Sequence, residues 1–232
     1  MRKGFTLIEL VFIVVIVGIL AAVAVPQTER NALIEASDQL VSHIRYTQQL
    51  AMYDNQFNVN DPNWYKRAWR IQFHNAAVAG HATGWRYTIF TDTSAAGAGG
   101  SLSGNPNCGG PDFVCVARDP QNPARLLTSG FANQAFNNRG DLMNNKLNLQ
   151  GKYGITNIVF AGGCANVQTI SFDHIGRPMG QVSNSATPYD RVFVADCTIT
   201  LTNDAGDSSV ITIRPETGYV SYQLAEAGST AQ

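Results

Sequence analysis

The dominant pattern in the chain is an apolar run from Phe5 to Val25, broken by a single charge at Glu9 and closed by Pro26. Its 21 residues would make a helix of about 30 Å, the thickness of a hydrocarbon core. After Pro26 the period changes. Leu33, Ser37, Leu40, Ile44, Thr47 and Ala51 fall at three- and four-residue steps, and Arg30, Glu35, Asp38, Gln39, His43 and Gln49 take the opposite face. This spacing predicts one helix from Phe5 to Tyr53, kinked where Pro26 removes a backbone donor. Asp54-Asn55 and Asp61-Pro62 end it in a loop.

From there the pattern alternates, apolar then polar. Ala68–His74, Gly84–Phe90, Phe113–Ala117, Ile155–Phe160, Val167–Phe172, Arg191–Leu201, Ser208–Arg214 and Gly218–Tyr222 read as strands. Asn203-Asp-Ala-Gly-Asp207 separates two of them as a hairpin turn. Residues 94–104 are low-complexity Gly, Ala and Ser, and 105–148 carry scattered Pro, Asn and Gly with few periodic runs, so 94–148 reads as a loop insertion. The expected fold class is α+β: a long N-terminal helix, transmembrane in its first half, packed on an antiparallel, sandwich-like β head.

Composition changes this picture little. Charged residues make up 14% and the net charge is −1, which gives no global pull toward a polyanion. The four cysteines, Cys108, Cys115, Cys164 and Cys197, are even in number and lack the paired CxxC spacing of zinc sites. They are candidate disulfide cysteines for an oxidising compartment, with three pairings open.

Arg2 and Lys3 precede the apolar run and no base follows until Arg30. By the positive-inside bias the N-terminus would be cytoplasmic and the head outside, in a single-pass bacterial inner-membrane protein. Three origins compete: a plain anchor, a signal peptide cut after Ala22-Val23-Ala24, and a prepilin leader cut after Gly4. Glu9 discriminates between them. A carboxylate inside an apolar segment costs about 3 kcal/mol on insertion scales and needs a partner. A cut after Gly4 would supply one, the new α-amine of Phe5.

Lys3-Gly4-Phe5-Thr6-Leu7-Ile8-Glu9-Leu10 resembles the class III signal of type IV pilins and type II secretion pseudopilins. The resemblance implies cleavage between Gly4 and Phe5 by a prepilin peptidase and N-methylation of Phe5. It also implies that Glu9 sets filament register against a neighbour's amine, and that the helix, loosened at Pro26, packs with other pilins or pseudopilins. The expected organisation is a leader (1–4), an assembly helix (5–26), an amphipathic helix on the head (27–54) and a periplasmic β-rich head (55–232).

A second likeness narrows this. Trp69-Arg-Ile, Gly84-Trp-Arg-Tyr-Thr-Ile-Phe90, Ile170-Ser-Phe-Asp-His-Ile-Gly176-Arg-Pro and Ile211-Thr-Ile-Arg-Pro-Glu-Thr-Gly218-Tyr-Val resemble the head strands of GspH/FimT-type minor pseudopilins. That implies a structural subunit which initiates or caps a type II secretion pseudopilus or a type IV pilus, without cofactor or catalysis.

The remaining chemistry is sparse. His43, His74, His81 and His174 accompany no HExxH, Gly-x-Ser-x-Gly or phosphate-loop pattern. Asp196, Asp204 and Asp207 supply too few ligands for calcium, which takes six to eight, and the tight turn they occupy explains two of them. Some FimT-type pilins bind DNA through a basic tail. Here residues 192–232 carry a net charge of −4, which disfavours DNA as a partner. A separate strip, Lys66, Arg67, Arg70 and Arg86 between aromatics, is the candidate nucleic-acid contact.

Overall fold

The apolar run forms helix α1, Leu7–Ala24, 18 residues long, in a computed structural model that describes residues 7–24, 28–78, 80, 82–93, 102–108 and 112–225. Gly4, Phe5, Pro26 and His81 lie outside the described residues, as do 94–101 and 109–111 of the insertion. At about 1.5 Å per residue the described residues of α1 cover about 27 Å. Its first turn also carries Glu9. Among the described residues no helix is long and apolar enough to cross a membrane. This corrects the expected transmembrane first half of the fold and the single-pass inner-membrane placement derived from it.

The chain divides into two units, Met1–Asn31 and Ala32–Gln232. Helix α2, Thr28–Tyr53, supplies the second unit with a buried stripe of Leu33, Ser37, Leu40, Ile44, Thr47 and Ala51. In chain order the strands are β1 (Arg70–His74), β2 (Arg86–Phe90), β3 (Arg118–Asp119), β4 (Asn122–Leu126), β5 (Ile155–Gly162), β6 (Thr169–Phe172), β7 (Pro178–Met179), β8 (Cys197–Asn203), β9 (Ser208–Ile213) and β10 (Val220–Ala225). A one-turn helix α3, Leu149–Tyr153, precedes β5.

Among the described residues the strands build two four-stranded sheets, ordered β2-β1-β6-β7 and β10-β9-β8-β5, and a β3-β4 hairpin. Every pairing is antiparallel. The period-two pattern explains which faces meet. Ile71, Phe73, Tyr87, Ile89, Ile170 and Phe172 of the first sheet are buried in one core with Ile199, Leu201, Ile211 and Ile213 of the second and with the α2 stripe. Each such side chain contributes about 1.5–3 kcal/mol by leaving water.

The other face of the first sheet is covered too. The run Phe113–Ala117, expected as a strand, instead makes turns and a single bridge, Val116 to Phe90. It lies along β2, where the Ala117 amide donates to Ile89 O at 2.9 Å and the Ile89 amide donates to Leu127 O at 2.9 Å. This closes a second apolar cluster of Phe90, Phe113, Cys115, Val116, Leu126, Phe131 and Phe136. The insertion therefore pairs along the β2 edge and packs Phe113, Phe131 and Phe136 in one cluster with Phe90.

Candidate functional site

Helix α1 has no polar side. Leu7, Ile8, Leu10, Phe12, Val14 and Val17 are 81%, 78%, 59%, 68%, 63% and 58% exposed. A helix that is apolar all round belongs inside an apolar environment, because leaving it in water forfeits the burial term for every one of these side chains. Glu9 sits in the first turn, where the helix dipole favours negative charge. The geometry suits a helix to be surrounded by other helices, with one carboxylate at a fixed position along it.

Residues 1–25 match the family described as Prokaryotic N-terminal methylation motif. That match covers the motif and α1, and it implies a peptidase-processing step at the N-terminus. No curated protein and no solved structure matches the chain.

The cationic strip of the head comes out differently from its sequence pattern. Arg70 is 0% exposed and Arg86 is 1% exposed. Arg70 donates through Nε to Ala68 O at 3.1 Å and through Nη2 to Lys66 O. Its guanidinium also lies 5.4 Å from the Phe90 ring centre. Burial pulls its pKa down to about 10, with Asp92 acting in the opposite direction. Arg86 donates to Gly84 O at 3.2 Å and Ala82 O at 2.7 Å. Both arginines tie the chain ahead of their own strand to the strand itself. Arg67 is half-buried against Asp61 at 2.7 Å, and Lys66 is half-buried with its ammonium 5.9 Å from the Tyr65 ring centre. A polyanion reaching this strip would meet Lys66 and Arg67, not four cations. The alternation Trp69-Arg70-Ile71 was the available signal, since it puts Arg70 opposite the core face. Burial of that opposite face depends on the insertion, which no local pattern reveals.

Both disulfides form: Cys108–Cys115 and Cys164–Cys197, with Cα–Cα distances of 5.2 and 4.9 Å. The first holds Cys115 in the second apolar cluster. The second ties the end of β5 to the start of β8.

Of the histidines, His43 departs most from the helical pattern. It falls on the polar side of the α2 wheel, yet is 9% exposed, with Nδ1 2.7 Å from the Tyr87 hydroxyl. That hydroxyl accepts from Gln39 Nε2 at 3.1 Å, and the Gln39 carbonyl accepts from the Tyr153 hydroxyl at 2.8 Å. Burial lowers the His43 pKa to about 4, partly opposed by Asp119 and assisted by Lys146. His74 sits against Gly130 O at 3.1 Å and is also lowered to about 4, by burial and then by Arg86. These imidazoles link helix, sheet and insertion through Tyr87 and Gly130. Asp196 pairs with Arg214, and the Asp207 amide donates to Asn203 Oδ1 at 2.9 Å in the β8–β9 turn. Among the described residues no group of three or more His, Cys, Asp or Glu could hold a metal ion.

Proposed function

We propose that the chain is a structural subunit of a type IV pilus-like or type II secretion-like filament, a minor pilin or pseudopilin that joins or initiates the assembly through its N-terminal helix. The observation that carries this reading is the methylation motif over residues 1–25 on a helix whose apolar side chains from Leu10 to Val17 are exposed in succession. In this mechanism a prepilin peptidase cuts between Gly4 and Phe5, and the Phe5 amine becomes methylated. The Glu9 carboxylate meets the corresponding amine of a neighbouring subunit and sets the axial register. The apolar side chains of α1 then pack against neighbouring helices, while the disulfide-bonded head forms the outer surface.

An ion pair inside an apolar helical bundle suits this registering role. A charge left without its partner there costs several kcal/mol, so only staggers that pair it survive. The DNA-binding alternative gains no support from the head, because Arg70 and Arg86 are spent on backbone carbonyls.

The test combines N-terminal mass with assembly. Co-expression with a prepilin peptidase should remove Met1–Gly4 and add one methyl group at Phe5. Glu9→Val should still be processed yet disappear from sheared filaments. An uncut N-terminus, or undiminished incorporation of Glu9→Val, sinks the reading.

A further inference from the structure

A polar cleft of about 490 Å³ opens on the head, away from the apolar helix face that packs in the core. Its floor is the outer face of the first sheet, where Gln72 of β1 stands opposite Thr169 of β6. One wall is the turn from β5 into β6, around Gly163 and Asn166; the other is the segment Asp190–Val194 that leads into β8. The walls are fastened to each other. The Cys164–Cys197 disulfide joins them covalently, and the Gly163 amide donates to Asp196 O at 2.8 Å. A Cβ added at Gly163 would stand 2.3 Å from Ala195 O, so glycine is what allows the two backbones to approach this closely. The Gly180 amide donates to Arg191 O at 2.8 Å and the Phe193 amide to Pro178 O at 3.0 Å, which fixes the second wall to the sheet. Such a cleft is shaped before any ligand arrives, which lowers the ordering cost of binding.

The lining chemistry is specific. Five carboxamides face this space, from Gln72, Asn166, Gln168, Gln181 and Asn184. Each carries two donors and an acceptor. The one acidic and one basic residue of the lining, Asp190 and Arg191, cancel in charge. Gln72 Oε1 is buried and accepts no hydrogen bond. The amides open to a ligand are the exposed ones, Asn166, Gln168 and Asn184. Val167 and Val192 add small apolar surfaces between the amides.

We propose that this cleft binds a neutral saccharide. Hydroxyl groups both donate and accept, so adjacent hydroxyls of one ring match a carboxamide. The C–H faces of the ring rest on the valines. A volume of this size falls within the roughly 300–1,000 Å³ of small-molecule sites. The site is independent of α1 and of the filament reading, so either can fail alone.

The full-length, disulfide-bonded chain, kept soluble by a detergent without a sugar head group, is titrated with cellobiose, maltose, diacetylchitobiose and glucuronate. Saturation-transfer NMR reads binding. At least one neutral sugar is expected to bind with a dissociation constant of about 1 mM or tighter. Gln168→Ala should weaken it about tenfold, the worth of one good hydrogen bond. Gln168 is exposed, so its truncation leaves the fold intact and decides the matter. Absence of saturation transfer to every neutral sugar overturns the proposal. So does retention of affinity in Gln168→Ala, or tighter binding of glucuronate than of the neutral sugars.

Discussion

Acidifying the protein from pH 7 to pH 4 should weaken the hold of α2 on the first sheet, and His43 contributes one calculable share of the loss, with His74 a second. The His43 pKa is about 4 in the folded chain against an ordinary 6.5. The groups facing it are Tyr87 at 2.7 Å, Asp119, whose charge raises the pKa, and Lys146, whose charge lowers it. Below pH 6.5 the unfolded chain binds a proton that the folded chain refuses, so stability falls with pH from about 6.5 down to about 4 and levels off below. At 1.36 kcal/mol per pH unit the loss is about 3 kcal/mol. For a head of this size that lowers the midpoint by about 6–12 °C. The comparison is between wild type and His43→Gln, a side chain of similar reach that cannot titrate. Melting curves followed by circular dichroism at pH 7 and pH 4 should show the variant losing about 3 kcal/mol less than wild type. Equal acid losses in the two proteins would refute the reasoning. So would an NMR titration placing the folded His43 imidazole near 6.5.

Two further predictions concern the covalent and backbone frame. Replacing Cys164 and Cys197 by Ser should cost about 4 kcal/mol, and replacing Cys108 and Cys115 about 2.5 kcal/mol, because the loops closed differ in length; their sequence separations are 33 and 7. Denaturant titration of the two double variants checks this order, and a reversed order would show that chain entropy is not the governing term. Gly162 has φ +64 and an added Cβ would stand 2.0 Å from Asp196 O. Gly162→Ala should therefore destabilise the head by at least about 2 kcal/mol, combining left-handed strain with a backbone clash, and a melting point within about 2 °C of wild type would contradict it.

Short-range periodicity is a property of the sequence alone, and it carried a good part of this fold. The α2 stripe from Leu33 to Ala51 is buried as its three- and four-residue steps require. The runs around Ile71, Tyr87, Ile158 and Ile211 became β1, β2, β5 and β9, and Asn203–Asp207 became the β8–β9 turn. The methylation motif is likewise local, a contiguous stretch over residues 1–25 that is read without any distant contact. What failed to show locally was everything set by residues far apart. Arg191–Val194 alternates like a strand, yet β8 starts only at Cys197, because the Cys164 bridge and the Gly163 contact fix where pairing begins. His43 and Arg70 stand on faces that the helical and strand periods mark as solvent. The insertion carrying Asp119, Gly130 and Lys146 folds over those faces, and which of three cysteine pairings forms follows from the same folding. A periodic pattern tells which side of an element is apolar; only the tertiary structure decides whether the other side meets water, since that depends on chain closing over it from dozens of residues away.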